Sequence, residues 1–161
     1  MFEEYNRAWT KYRKGLRIIS TPLICWDFYT IPKSESVDFQ NIQSKWNEKV
    51  DFKKILKEKE LSVLVTDSNL KIVFANHNIF KMNGYNANDI IGKSPKMFQG
   101  LETSEEAKKR INTAIKAIIP FKEVILNYRK DGESYWCEIE AYPKFDKNGR
   151  FINYIAFERI A

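Results

Sequence analysis

Thiols and imidazoles are scarce in this chain: Cys25, Cys137 and His77 are the only ones in 161 residues. Two cysteines cannot build a disulfide scaffold or a four-cysteine zinc site, and a single histidine rules out a multi-histidine metal centre. No apolar run approaches the roughly 18–20 residues that a membrane-spanning helix needs. The opening MFEEYNRAW has no basic stretch leading into an apolar one, so no secretory signal is expected, and the expected setting is cytoplasmic. Charge of one sign is not concentrated anywhere. The net charge is +6, from 27 Lys+Arg against 21 Asp+Glu, and it divides evenly between residues 1–60 and the rest. Arg7, Lys11, Arg13, Lys14 and Arg17 form the densest basic group. A mixed charged surface of this kind is a solvated one, so no nucleic-acid partner is expected. No nucleophile–base pair, phosphate loop or metal-ligand spacing stands out, and the chain does not read as an enzyme.

What is present is the composition of a globular domain, with 43% hydrophobic and 30% charged residues. The length fits one domain plus an extension, with the boundary placed between residues 60 and 61. The extension reads as mostly helical. Tyr5, Ala8, Trp9, Tyr12 and Leu16 recur at helical spacing. Residues 21–29 read as extended between prolines. A second helix uses Phe39, Ile42 and Trp46, and Asp51 caps a third over 52–59 with Ile55 and Leu56 inward.

From Leu61 the texture changes to β. Residues 62–66 and 71–75 form a hairpin about the turn cluster Asp67-Ser68-Asn69. Short helical pieces span 78–95. Thr103 or Ser104, with Glu106 behind it, opens a longer helix over 105–118 that Pro120 ends. Strands follow over 121–130, 133–142 and 150–160, with Asp131-Gly132 and Asp146 to Gly149 at the turns. The predicted architecture is α+β: a five-stranded antiparallel sheet with helices on one face. Alternation divides the sheet. Ile125, Asn127, Cys137, Ile139, Ala141, Tyr154, Ala156 and Glu158 form the face expected under the helices. Val124, Leu126, Tyr128, Trp136, Ile155 and Phe157 form the other. Nothing within 61–161 is left to cover that second face, so the extension, a second subunit or both must do so. Trp9, Val124, Leu126, Trp136, Ile155 and Phe157 are the expected interface residues, and homodimerisation or docking of a signalling partner is expected there.

This strand order resembles a PAS domain over about residues 61–161. The resemblance is carried by Val65-Thr66-Asp67 with Ile72 to Asn76, by Asn83-Gly84-Tyr85 through Asp89 to Pro95, by Asn127 to Gly132, by Tyr135-Trp136 and by Asp146 to Gly149. The LOV-like branch is nearest, through Gly92 to Gly100 (GKSPKMFQG) and the NYRKDG run. That branch binds FMN and bonds it photochemically to a cysteine. The resemblance puts Pro95 at the cysteine position, Ser94 at the preceding asparagine, and Lys96 at a phosphate-binding arginine. Gln99 and Asn127 match flavin-binding positions. Asn112, Cys137 and Glu158 stand where the branch has a second arginine, a second asparagine and a glutamine. Lys96, Gln99, Asn127, Cys137 and Glu158 are therefore the candidate ligand-binding residues, with FMN as a possible cofactor and another small molecule as the alternative. A cysteine is a weak donor for a flavin edge, and a buried glutamate needs a partner.

Plainer roles are open for each residue. Asn127 could satisfy a strand end, Cys137 could be a small buried hydrophobe, and Glu158 could sit at the rim and reach water or Lys96. His77 opens a helix, where a capping or surface role is expected. The expected function is a stand-alone PAS sensor or interaction module in signal transduction. It would signal through its outer sheet face and N-terminal helices. The alternatives are a cysteine-less flavin-binding blue-light or redox sensor, and a purely structural dimerisation domain with a filled core. A cavity, or its absence, separates these readings.

Overall fold

The computed structural model describes residues 33–58 and 60–161. Trp9, the stripe from Tyr5 to Leu16 and the segment 21–29 lie outside the described residues.

Helix α1 (Lys33–Gln43) and the short α2 (Phe52–Ile55) precede the sheet. Asp51 caps α2 by accepting a hydrogen bond from the Lys54 N–H. Strands β1 (Ser62–Asp67) and β2 (Ile72–Ala75) make the first hairpin. The short helices α3 (Asn78–Asn83) and α4 (Ala87–Ile90) and a 3-10 turn (Pro95–Phe98) lead into the long helix α5 (Glu105–Ala117). Strands β3 (Phe121–Tyr128), β4 (Ser134–Phe145) and β5 (Phe151–Ile160) complete an antiparallel sheet in the order β2-β1-β5-β4-β3.

The turns form where aspartate side chains fold back onto their own backbone. Asp67 Oδ1 accepts from the N–H groups of Asn69 and Lys71, Asp131 Oδ1 from Glu133, and Asp146 Oδ1 from Asn148 and Arg150. Such turns satisfy donors that a tight chain reversal leaves free. Helix α5 starts at Ser104, whose hydroxyl accepts from the Ala107 N–H. It ends at Ile118 in a left-handed conformation (φ 54°), two residues before Pro120.

The sheet separates two apolar layers. On the inner face Leu64, Ile72, Ile125, Cys137 and Phe98 pack with Ile79, Met82 and Ile90 from the helices. On the outer face Val63, Val65, Phe74 and Ile155 pack against Phe39, Trp46 and Phe52. Phe39 and Phe52 stack with ring centroids 4.0 Å apart, and Phe39 meets Phe74 edge-on at 5.2 Å. The Trp46 indole N–H donates to Asn153 Oδ1 at 2.8 Å, and the Asn153 amide donates to the Thr66 carbonyl. Residues 33–58 are thus fastened to the β2-β1-β5 side of the sheet by burial and by directed bonds.

The outer face is therefore not one interface. Ile155 is 0% exposed, covered by its own chain, and is no surface for a partner. Phe157 is half-buried against the same aromatic layer. Val124 and Trp136 are 45% and 55% exposed, and Leu126 is half-buried. The cause is reach: the described helices cover one side and stop short of β3 and the start of β4. Tyr128 also departs from the outer face. Its ring lies against Gly100, and its hydroxyl accepts from the Glu102 N–H at 3.2 Å. An ion-pair cluster crosses the open half. Glu138 accepts bidentately from Arg159 (2.8 and 3.2 Å) and also pairs with Lys122. The Arg159 and Lys122 contacts hold its carboxyl down to about 2.

Candidate functional site: a cavity beneath the sheet

Strands β1, β3, β4 and β5 roof a cavity of about 780 Å³, with α5 and the 3-10 turn forming its opposite wall. The apolar part of the wall is Leu64, Ile139, Ala141 and Ala156 from the sheet, and Phe98, Ile111 and Ile115 from below. The space exists because small residues stand where strands β4 and β5 face α5. Ala141 and Ala156 are paired across those strands, and neither reaches the helix.

Four of the five expected ligand-binding residues line this cavity: Lys96, Gln99, Asn127 and Glu158. Gln99 ends the 3-10 turn, half-buried, and Lys96 is exposed at the mouth. Ser94 accepts from the Lys96 N–H, and Pro95 occupies the first position of the turn, where a missing N–H costs nothing. Asn127 is buried on β3. Thr66 from β1 lines the cavity too, although the resemblance gave it no ligand role, and its hydroxyl is buried without a partner. Alternation alone could have placed it there.

Glu158 corrects its sequence reading. It is 4% exposed, faces the cavity interior, and does not pair with Lys96 at the rim. Its cross-strand neighbours are Ser62 on β1 and Ile139 on β4, and neither is charged. Burial pushes its carboxyl up to about 7. The Cys137 thiol lies 3.9 Å from its Oε2.

Cys137 also differs from the reading that made it a ligand contact. It faces inward but packs, 0% exposed, among Leu64, Ile125 and Tyr135, off the cavity wall. Burial first, and the Glu158 carboxyl next, push its thiol far above the ordinary range. Such a thiol is an inert packing group. The Tyr135 hydroxyl beside it is buried without a hydrogen-bond partner, and burial raises its pKa as well.

His77 has a role that no local pattern reveals. Its backbone N–H donates to Glu35 Oε1 (3.2 Å), and its Nδ1 lies 3.1 Å from Oε2. It opens α3 without a side-chain cap of its own. Glu35, 42 residues earlier, is buried and ties α1 to that helix start.

The PAS domain family matches residues 60–159. The chain belongs to the PAS domain family. Among curated relatives it is 32% identical over 99 residues to a blue-light-activated histidine kinase of Brucella abortus, covering 60% of this chain and 20% of the relative. It is 34% identical over 110 residues to Protein TWIN LOV 1 of Arabidopsis thaliana, covering 66% and 28%. The match thus spans between a fifth and about a quarter of these relatives' length. Among solved structures, the light state of the blue-light photoreceptor Aureochrome1 LOV superposes with a TM-score of 0.61 at 27% identity. That match covers 69% of this chain and 89% of the other. The LOV domain of the Erythrobacter litoralis EL346 blue-light activated histidine kinase shares the fold, with a TM-score of 0.59 at 24% identity over 62% and 94%. The chain is a PAS sensor domain of LOV-like fold. No helix among its described residues is long and apolar enough to cross a membrane.

The lining fits the flavin that the resemblance implies. The amides of Gln99 and Asn127 offer donors and acceptors. A protonated Glu158 offers one of each, and the Thr66 hydroxyl has no partner of its own. Lys96, Lys108 and Lys109 line the cavity and would meet a phosphate, Lys108 being paired with Glu105. The misfits are Cys137, which lies off the wall, and Asn112, which lines it where the resemblance has a second arginine.

Proposed function

We propose that this PAS domain is a ligand-holding sensor, and that occupancy of its cavity is read on the outer sheet face through strand β5. The observation that carries this is the 780 Å³ cavity, which combines an apolar surface with polar groups from the sheet, the 3-10 turn and α5, as small-molecule sites do. A filled dimerisation core would have no such space. The chain senses rather than catalyses, and it meets a second copy or a signalling protein through the open half of its outer face, around Val124, Leu126 and Trp136.

One observation favours a flavin as the ligand: Gln99 and Asn127, the two retained identities, both line the cavity. The relatives named for blue light and LOV point the same way. Gln99, Asn127 and Glu158 would hold the ring edge, and Lys96 with the α5 lysines the phosphate. A bound flavin supplies visible absorption and reversible reduction. Cys137 does not line the cavity and is no candidate for a bond to it, so any light response here runs without an adduct to that residue.

The test is the visible spectrum of freshly purified protein before and after blue light, with mass spectrometry of what denaturation releases. Flavin bands support the photoreceptor reading. A colourless released molecule supports a sensor for another ligand. No released molecule, together with no binding of any small probe, refutes the ligand-holding proposal.

A further inference from the structure

We propose that the last turn of α5 is a gate at the mouth of the cavity, latched shut by Tyr154 and loaded toward opening by the strained backbone of Ile118. This rests on the ligand-holding reading above and names how a ligand enters and leaves that site.

The mouth has two unlike sides. On one, α5 contributes Lys109, Asn112 and Lys116, all exposed and all lining the cavity. On the other stand Leu70 from the first hairpin and the segment from Ser94 to Lys96. Among the described residues no hydrogen bond or ion pair joins α5 to that second side. Along its other edge the helix is fixed. Arg110 donates to both Glu123 oxygens, at 2.6 and 3.0 Å, and the Thr103 hydroxyl just ahead of the helix donates to the Leu126 carbonyl at 2.8 Å. Both bonds reach β3, the edge strand, so they form a hinge line on one side of a helix that is unbonded on the other.

Tyr154 supplies the latch. It stands on β5, two strands in from β3, where it is 5% exposed and lines the cavity. Among the described residues its hydroxyl makes the only hydrogen bonds between the last turn of α5 and the sheet. One proton serves two carbonyls there, Ala114 at 3.4 Å and Ile119 at 3.2 Å. Hydroxyl bonds centre near roughly 2.8 Å, so a proton shared at these lengths makes a weak latch. Ile118 and Ile119 are 37% and 51% exposed, and little apolar packing holds the turn down.

The load is in the backbone. Leu70 and Ile118 are the described non-glycine residues at positive φ, at 60° and 54°. They flank the mouth: Leu70 lines the cavity, and Ile118 follows the lining residue Lys116 by two positions. In the left-handed conformation a β-branched side chain crowds its own backbone. Such strain persists only where the surroundings impose it, and it gathers at clamps and switches. Here the Tyr154 bond to the Ile119 carbonyl holds the adjoining residue in place. Freeing the turn relieves Ile118, so strain favours opening while the latch favours closing.

The test reads the gate with and without a ligand. Amide hydrogen exchange of the full chain comes first. Tyr154→Phe is expected to speed exchange at Ile119 about fivefold, the effect of one weak hydrogen bond, with the amides of β1 and β5 unchanged. Ile118→Gly removes the strain and is expected to slow Ile119 by a similar factor, about fivefold. Unchanged exchange at Ile119 in Tyr154→Phe, an equal rise in the β1 amides, or faster exchange at Ile119 in Ile118→Gly overturns the proposal. Stopped-flow binding of riboflavin follows, with indole read the same way if riboflavin does not bind. The Tyr154 hydroxyl is committed to the helix, so its removal should leave Kd within about threefold while association and dissociation both quicken about fivefold. A merely structural role would move Kd or the melting temperature and leave the two rates unmatched. A probe that binds with rates indifferent to Tyr154→Phe overturns the gate alone. Refusal of both probes refutes the ligand-holding reading and the gate with it.

Discussion

Glu158 makes a measurable claim on stability in the absence of any ligand. Its carboxyl is raised from 4.5 to about 7 by burial. The folded protein therefore holds this proton to higher pH than the unfolded chain does. Between those two values the unfolded state loses its proton first, and stability declines as pH rises. Below about pH 4.5 both states are protonated and no penalty exists. Above about 7 the full penalty is present, and a 2.5-unit shift corresponds to about 3 kcal/mol. Glu158→Gln removes the ionisation and keeps the shape. Urea unfolding at about pH 5 and about pH 8 should then show the variant gaining about 3 kcal/mol at the higher pH and about 1 or less at the lower. Glu138 does not disturb the comparison. Its carboxyl is held down to about 2 by Arg159 and Lys122, so its contribution is present above the ordinary carboxylate range and is lost only at more acid pH, equally in both proteins. An identical stability difference at the two pH values would refute the buried-acid account.

Phe39→Ala should cost about 3–5 kcal/mol in chemical denaturation, because it empties the centre of the outer aromatic layer; a loss below about 1 would show that α1 is not fastened as described. Gly100→Ala puts a methyl group 2.4 Å from the Tyr128 ring and should cost about 1–3 kcal/mol by thermal melting, with Tyr128→Ala relieving the clash; an unchanged melt would show that the loop moves freely. Asn76→Ala leaves the Val63 N–H and the Leu61 carbonyl without the side chain that bonds both, an expected loss of about 1–3 kcal/mol. Trp136→Ser on the open half of the sheet should leave monomer stability within about 0.5 kcal/mol and lower the solution mass if that face joins two copies. An unchanged mass in a protein that is dimeric as wild type would move the interface elsewhere.

Local chemistry made most of the fold legible. Asp67, Asp131 and Asp146 mark the turns because their side chains close them, and Ser104 marks the start of α5 because it caps it. Period-two alternation assigned Asn127, Ala141, Ala156 and Glu158 to the inner face, where they are found. Alternation gives side but not depth. It could not tell that Glu158 sits on the cavity wall or that Cys137 sits off it, since both have the same parity. Nor could it show how far the extension reaches, and Ile155 and Trp136 therefore shared one surface in the sequence but not in the structure. The Glu35–His77 pair and the Trp46–Asn153 bond join residues 42 and 107 positions apart. No window along the sequence contains such partners.

Strand β5 carries Ala156 and Glu158 toward the cavity and Ile155 and Phe157 toward the aromatic layer of the extension. Ligand space and outer cover are thus separated by one backbone thickness, and consecutive residues of one strand belong to different compartments. A rigid strand cannot shift one set without carrying the other. On the proposed sensing role, a change of charge or of volume at Glu158 would reach the Phe39–Phe52 stack through this one strand, with no hinge between them. The speed and size of any such signal are governed by how firmly β1 and β4 grip that single strand from either side.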